Sequence, residues 1–370
     1  MKILFCTSSM GKGGAERVIS ILSNRFINNN DVYILVNTNK NIEYELDKRI
    51  KVVQLDEKVN INPITRNIER IIKTKKKLKE IKPDIIISFL PMPSFRVIIA
   101  NSKLKIPVIV SDRNDPNEEY KSKISKIFMK CLYPKANGFV FQTKQQKKYF
   151  SNEIQNKSTI IFNPIKNEFV GVNTKDIKKI ENTIINVGRL VEQKNQKMLI
   201  NAFSKVSKKH KKYNLKIYGE GPLKEELQKQ IELLNLKDRV MLMGLTDNIK
   251  NELANSKIFI LSSNYEGMPN ALIEAMSMGC GVISTDCPCG GPKELIDNGK
   301  NGILIQTGNE EELEKSINLL IENEEMLTEI GKNAQKVSSI LEEKNIVKQW
   351  ENYIKYILKK SKEVRYNNEK

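Results

Sequence analysis

Glu266 and Glu274 stand eight positions apart in the run Glu266-Gly267-Met268-Pro269-Asn270-Ala271-Leu272-Ile273-Glu274, an E-x7-E spacing. The residues before it, Ile258-Phe259-Ile260-Leu261-Ser262-Ser263, form a β-branched apolar run with the signature of a buried strand. Those after it, Ala271 to Met278, have the pattern of a helix closed by Gly279, with Pro269 suited to the first helical turn. Glu266 is therefore expected on a loop above a strand end, and Glu274 about one turn into a helix. Helical side chains lean back toward the N-terminus, so both carboxylates are expected to reach one space. Between them lie the N–H groups of Asn270, Ala271 and Leu272, at the positive end of the helix dipole. Such an arrangement holds a phosphate from the middle and hydroxyls from both sides. A nucleotide-sugar carries its phosphates between two polyhydroxylated rings.

Alone, the pair would read equally well as two solvated glutamates on a surface helix. Two further strand-to-helix junctions precede it. Thr183 to Val187 reads as a strand, and Gly188 after it delivers Arg189 and Lys194 ahead of a helical stretch from Gln196 to Lys208. A forked guanidinium and a compact ammonium are the usual partners of a diphosphate. Leu215 to Tyr218 reads as the next strand. It ends in Gly219-Glu220-Gly221, whose glycines would let the backbone approach a flat ring closely.

In this order, the motifs resemble the family 4 retaining glycosyltransferases, enzymes of two Rossmann-like domains (the GT-B type), and the likeness runs over nearly the whole chain. Gly13-Gly14-Ala15-Glu16-Arg17 is similar to that family's N-terminal glycine loop. The donor half is matched by Gly188-Arg189-Leu190 with Lys194, by Gly219 and Gly221, by Asp238-Arg239-Val240 leading to Gly244 and Leu245, and by Glu266 with Glu274. The resemblance implies an α/β fold with the active site in the cleft between the domains. It implies donor binding by Gly13, Gly14, Gly188, Gly219, Gly221, Leu245, Asn270, Ala271, Leu272 and Glu274, with Glu274 on the donor ribose. Arg189, Lys194 and Glu266 would be catalytic: the two cations neutralise the departing diphosphate where charge develops, and Glu266 holds the transferred sugar. Many relatives carry a histidine on the N-terminal side of the cleft. Here Ser111-Asp112-Arg113-Asn114-Asp115 occupies that region, which makes Arg113 a candidate for a phosphate of the donor or of a lipid-linked acceptor.

The elements that must position these residues fit a two-domain chain. At 370 residues there is length for two cores, and apolar runs alternate with amphipathic helical stretches, as βαβ units require. Expected strands in the first half are Lys2–Ser9, Val32–Val36, Asp84–Phe89, Pro107–Ser111 and Gly138–Gln142. Residues 1–170 form an acceptor-side domain and 171–344 a nucleotide-sugar domain, with a polar linker over 171–179. Residues 345–370 form a helix that, by the resemblance, packs back on the first domain. Gly11-Lys12-Gly13-Gly14 superficially matches a dinucleotide fingerprint, but the next strand ends in Asn37-Thr38 and supplies no acid for a ribose. No D-x-D motif occurs and Cys280, Cys287 and Cys289 have no fourth ligand close by, so neither metal nor cofactor is expected. No apolar run is long enough to span a bilayer and no signal peptide opens the chain, which points to a cytoplasmic protein.

Charge adds a partner. The net charge is +18, and it is concentrated: residues 1–170 hold 31 Lys and Arg against 16 Asp and Glu, whereas residues 171–370 hold 31 against 28. Arg66, Arg70, Lys73 and Lys77 fall on one helical face, with Ile64, Ile68, Ile71, Ile72 and Leu78 as its apolar face. A second basic amphipathic stretch runs from Lys121 to Lys135, with Ile124, Ile127, Phe128 and Leu132 apolar. Such helices dock on an anionic membrane surface, although an apolar stripe serves more often as a core face. Nucleic acid is a poor fit, because the aromatics are not interleaved with the basic runs. The expected activity is transfer of a sugar from a nucleotide-sugar donor, UDP-N-acetylhexosamine favoured, onto a polyprenyl-diphosphate-linked glycan at the inner face of the membrane. UDP- or GDP-hexose transfer to another acceptor and nucleotide-sugar epimerisation remain the alternatives.

Overall fold

Val, Ile and Phe dominate the strand runs, as strands buried on both faces require. In the computed structural model, which describes all residues except 12, 38–41, 56–61, 173–180 and 369–370, they form two parallel sheets. The first contains β1 (Lys2–Cys6), β2 (Asp31–Val36), β3 (Lys51–Gln54), β4 (Ile85–Phe89), β5 (Val108–Ser111), β6 (Gly138–Phe141) and β7 (Ser158–Ile160), in the order β3-β2-β1-β4-β5-β6-β7. The second contains β8 (Glu181–Val187), β9 (Asn214–Tyr218), β10 (Val240–Gly244), β11 (Ser256–Leu261), β12 (Gly281–Thr285) and β13 (Ile303–Ile305), in the order β10-β9-β8-β11-β12-β13. The chain divides into two compact units, Met1–Pro164 with Glu343–Lys370, and Ile165–Glu342. The linker expected over 171–179 lies, from residue 173 onward, outside the described residues.

Each sheet reverses its strand order once, between β1 and β4 and between β8 and β11. In open α/β sheets a crevice for ligands forms at the carboxyl ends of the strands at such a switch point. The loops there are Thr7–Gly13 and the turn at Leu90 in the first unit. In the second they are Gly188–Asn195 and Ser262–Pro269, the segments singled out by their residue chemistry. Helices run back antiparallel to the strands, so their N-termini lie at this same edge. In the first unit these are α1 (Gly14–Phe26), α2 (Pro63–Ile81), α3 (Pro91–Asn101), the short α4 (Pro116–Glu119) and α5 (Lys123–Leu132).

The last helix, Glu343–Asn368, belongs to the first unit although it follows the second in sequence. Trp350 is fully buried there and stacks on Phe89 with ring centroids 6.0 Å apart. The Tyr353 hydroxyl accepts from the Phe139 N–H (2.9 Å) and donates to the Lys157 carbonyl (2.6 Å). Among the described residues no helix is long and apolar enough to cross a membrane.

Candidate active site

Two loops of the second unit are laced into one structure. After β8, Gly188 leads to Asn195, whose left-handed backbone (φ 47°) turns the chain and whose side chain caps the helix Gln196–Lys209 at the Met198 N–H. After β11, Asn264 donates from its backbone to the Gln193 carbonyl (2.7 Å) and from its side chain to the Glu192 carbonyl (2.8 Å). Gln193 returns a bond to the Tyr265 carbonyl (3.0 Å), and the Ser262 hydroxyl donates to the Lys194 carbonyl (2.8 Å). This lacing fixes the two charged groups. The Lys194 ammonium is paired with the Glu266 carboxylate, and both are largely withdrawn from solvent, at 17% and 8% side-chain exposure. Ser263 donates to the same carboxylate oxygen at 2.7 Å. The sequence expectation gave Lys194 to a diphosphate and Glu266 to sugar hydroxyls; in the structure each is the other's partner. Cys287 lies near this pair. Burial first, and then the Glu266 charge, push its thiol up to about 12, so it stays protonated.

The glycines at 219 and 221 are required by the packing of the loops themselves. A Cβ on Gly219 would lie 2.0 Å from the Gly188 carbonyl oxygen, and one on Gly221 would lie 2.3 Å from that of Leu190. Gly219 also has φ +142°, a backbone that side chains rarely adopt. The crossing of two loops by itself requires glycine at both positions. The crossing is bonded by the Gly188 N–H to the Tyr218 carbonyl and the Leu190 N–H to the Glu220 carbonyl, at 2.9 and 3.0 Å. A third loop joins through the Gly219 N–H and the Gly244 carbonyl (2.8 Å), which leaves the next residue, Leu245, 67% exposed.

The helix bearing Glu274 spans Asn270–Ser277, one residue ahead of the expected run Ala271–Met278, with Pro269 as its N-cap and not within its first turn. No side chain caps it, and the first N–H groups of a helix have no acceptor within the helix. Asn270 and Ala271 are half-buried at this end and Leu272 is in the core. Glu274 is buried in the following turn. Arg189 contrasts with Lys194: it is exposed, and among the described residues it has no acidic partner.

In the first unit Gly13 is the N-cap of α1, and Gly14 opens the helix. The Glu16 carboxylate lies over Gly13, 2.1 Å from where a Cβ would sit. The end of this helix is thus covered by a carboxylate rather than left open. Beyond β5, Asp112 is buried and accepts from the hydroxyls of Tyr120 (2.5 Å) and Tyr133 (2.9 Å). Burial raises its carboxyl to about 7. Arg113 beside it donates from Nη1 to the Asn163 side chain (3.0 Å) and lies 4.8 Å from the Phe89 ring centre and 5.7 Å from that of Trp350. Its Nε and Nη2, and the Trp350 indole N–H, are buried with no hydrogen-bond partner among the described residues. Burial lowers the guanidinium to about 9. This corner holds buried guanidinium and indole donors without partners, beside the Asp112 carboxyl and the unpartnered Gln142 Oε1.

The basic face of α2 is partly engaged within the unit itself. Arg66, Arg70, Lys73 and Lys77 are half-buried. Lys73 pairs with Glu69 and Lys77 with Glu80, each at 2.9 Å, and burial lowers the Arg70 guanidinium. Ile64, Ile68 and Ile72, expected on one apolar face with Ile71 and Leu78, are 71%, 54% and 63% exposed. Thr74, Leu78 and Ile81 turn inward against the sheet.

Comparison with known proteins now bears on identity. The family model described as "Glycosyltransferase Family 4" matches residues 12–169, and that described as "Glycosyl transferases group 1" matches residues 172–337. A glycosyltransferase of Methanocaldococcus jannaschii is 33% identical over 326 residues, covering 77% of this chain and 80% of the relative. The chain belongs to the family 4 glycosyltransferases. Two Campylobacter jejuni enzymes are also similar to this glycosyltransferase. One is named as an α-1,4-N-acetyl-D-galactosaminyltransferase acting on a diNAcBac-PP-undecaprenol glycan. It is 28% identical over 354 residues, covering 95% of this chain and 97% of the relative. The other is the N-acetylgalactosamine-N,N'-diacetylbacillosaminyl-diphospho-undecaprenol 4-α-N-acetylgalactosaminyltransferase, 29% identical over 338 residues, with coverage of 86% and 89%. Among solved structures, Anabaena HepE in complex with UDP superposes with a TM-score of 0.82 at 21% identity, over 96% of this chain and all of that one. The lipopolysaccharide outer core galactosyltransferase WaaB does so at 0.73 and 22% identity, over 96% and 99%. At these identities the likeness is one of fold, and the fold is GT-B.

Several residues that shape the glycosyltransferase's candidate site carry no signal of their own in the sequence. Ser263 and Asn264 follow a strand like any polar loop residues. The importance of Ser263 lies in its bond to Glu266, and that of Asn264 in partners about 70 positions away, Gln193 and Glu192. Asn163, Phe89 and Trp350 surround Arg113 from three separate parts of the chain.

Proposed function

We propose that this glycosyltransferase moves an N-acetylhexosaminyl group from a UDP-sugar onto a polyprenyl-diphosphate-linked glycan, with retention and without a metal. The observation that carries the reading is the buried Lys194–Glu266 pair at the switch point, with exposed Arg189 one loop position away from the Gly219 crossing. A diphosphate arriving beside Arg189 and the N-terminus of helix Asn270–Ser277 would draw Lys194 from Glu266 and leave that carboxylate facing the sugar. The anomeric C–O bond to the β-phosphate then breaks while the acceptor oxygen bonds from the same face. The acceptor proton passes to the departing phosphate oxygen, so no protein base is needed. Arg189 and Lys194 act where negative charge grows, which favours the transition state over the ground state. Glu274 takes the donor ribose, and Leu245 offers an apolar surface beside it.

The acceptor assignment rests on the two Campylobacter relatives, whose named substrates are undecaprenyl-diphosphate glycans. It rests also on Arg113, which has buried N–H donors to spare for an acceptor phosphate. A direct test is incubation with UDP-N-acetylhexosamines and a synthetic polyprenyl-diphosphate glycan, with the product's anomeric configuration read by NMR and EDTA present in a parallel reaction. An α-linked product formed equally with and without EDTA is expected. Release of free sugar without acceptor would favour epimerase or hydrolase chemistry instead, and loss of turnover restored by a divalent ion would overturn the metal-free mechanism.

A further inference from the structure

The two oxygens of a carboxylate are chemically alike, so any difference between them comes from what surrounds each. The Glu266 side chain, 8% exposed, shows such a difference. Its Oε1 takes both bonds, from the Lys194 ammonium and from the Ser263 hydroxyl (2.7 Å). Its Oε2 takes no hydrogen bond among the described residues. An ionised carboxylate accepts about four bonds, so Oε2 is the oxygen with capacity for a ligand. The partners of Oε1 decide where it points.

Those partners differ in what a ligand does to them. Lys194 carries the charge that a diphosphate attracts, on a long flexible stem. Ser263 is short, uncharged and fully buried, two residues beyond β11. Its carbonyl accepts from the Thr285 hydroxyl at the end of β12 (2.6 Å). The Glu266 N–H donates to the Pro288 carbonyl in the loop after β12 (3.3 Å). The two loops pass so closely that a Cβ on Gly291 would lie 1.7 Å from the Gly267 carbonyl oxygen. The serine and the glutamate are thus both held to one neighbouring strand and its loop, on either side of the bond between their side chains.

We propose that Ser263 is a positioning residue for transfer: when a donor diphosphate draws Lys194 away, its hydroxyl keeps Glu266 Oε1 in place, so that Oε2 faces the transferred sugar. This rests on the proposed reading, in which Glu266 meets that sugar. Without the hydroxyl, the carboxylate would lose its last hydrogen bond at that step and would be free to follow the ammonium toward the diphosphate. A carboxylate so displaced no longer stabilises a centre where positive charge develops. One already held in place needs no reorganisation at the moment of reaction. Ser263 touches no substrate atom, so donor binding does not depend on it.

The test is steady-state transfer from a UDP-N-acetylhexosamine to a synthetic polyprenyl-diphosphate glycan, with UDP affinity read by calorimetry. Ser263→Ala is expected to lower kcat by roughly tenfold or more, the worth of a hydrogen bond to a charged group. The donor KM and the Kd for UDP should stay within about twofold of wild type. Thr285→Val loosens the same loop but leaves hydroxyl and carboxylate in contact, so it should lower the urea midpoint and leave kcat near wild type. In a Glu266→Gln background, already slow, Ser263→Ala should cost less than about twofold more, because residues that act as a unit are not additive. Ser263→Ala turning over like wild type while Glu266→Gln is crippled would overturn the proposal and leave the reading of Glu266 intact. So would a loss repeated in full in the Glu266→Gln background, or Thr285→Val as slow as Ser263→Ala, since the serine would then act only through loop packing. Glu266→Gln at the wild-type rate would remove Glu266 from the reaction, and this proposal with it.

Discussion

The two units are wound alike and charged differently. Both have a parallel sheet whose order reverses after the first strand, so both present loops at the same kind of edge. In the second unit the central cation is already matched: Lys194 is paired with Glu266, and Ser263 bonds to the same oxygen. In the first, Arg113 lies beside Asp112 but is hydrogen-bonded to an amide oxygen and faces two aromatic rings, with two of its nitrogens buried and unpartnered. The difference suggests a division of labour. A matched pair can exchange one partner for a ligand and regain it on release, which suits a donor whose diphosphate must leave each cycle. A desolvated guanidinium whose neighbouring carboxyl, Asp112, is bonded to two tyrosine hydroxyls keeps donors to spare, which suits an acceptor phosphate.

The largest effect should come from the second unit. Arg189→Ala and Lys194→Ala are each expected to lower turnover by roughly 10²-fold or more, as for lost stabilisation of a leaving group. Steady-state rates check this, and a variant retaining half of wild-type activity would remove that residue from the mechanism. The same pair makes a stability prediction. Lys194→Ala leaves the Glu266 carboxylate buried and uncompensated, at a cost of ~3 kcal/mol. Glu266→Gln added to it should recover much of that loss in urea melts. If single and double variants unfold alike, the pair carries no such coupling.

A smaller effect should come from the first unit. Arg113→Lys keeps the charge but loses the flat guanidinium that stacks on Phe89 and Trp350. We expect an acceptor KM raised about tenfold, with the donor KM unchanged. The reverse pattern would place Arg113 on the donor side.

The smallest concerns pH. The buried Asp112 carboxyl is raised to about 7, above the ordinary value of ~3.9 that an unfolded chain has. Between those values the native chain holds a proton that the unfolded chain has released. Stability from this group is therefore greatest below pH ~4, falls as pH rises toward about 7, and is level above it. Asp112→Asn should flatten that fall, so the wild-type urea midpoint should drop more than the variant's between pH 5 and 7. Parallel curves would mean that Asp112 does not titrate there.

How far the sequence reveals these features depends on the distance over which each interaction acts. The parallel sheets were legible, because strands buried on both faces are written as continuous apolar runs such as Ile258–Leu261. β3 and β7 were not named; they are short edge strands, half-exposed, without such runs. The loops carrying Arg189, Lys194 and Glu266 were legible because a strand-end glycine and charged residues stand together locally. That Lys194 and Glu266 are partners was not, since they meet across 72 positions. The glycines at 219 and 221 were legible as a strand-end loop, but that they let two loops cross was not, because a loop crossing has no local signature. The apolar stripe of α2 was legible and its orientation was not: amphipathic periodicity tells which residues share a face, and only packing tells which face turns inward.

The division between the units is tested most directly by calorimetric titration of UDP into wild type, Arg189→Ala and Arg113→Ala. Affinity should fall at least tenfold on losing Arg189, whose charge-assisted bonds would go to the diphosphate. It should stay within about twofold on losing Arg113. A loss of UDP binding in Arg113→Ala, with Arg189→Ala binding like wild type, would contradict it.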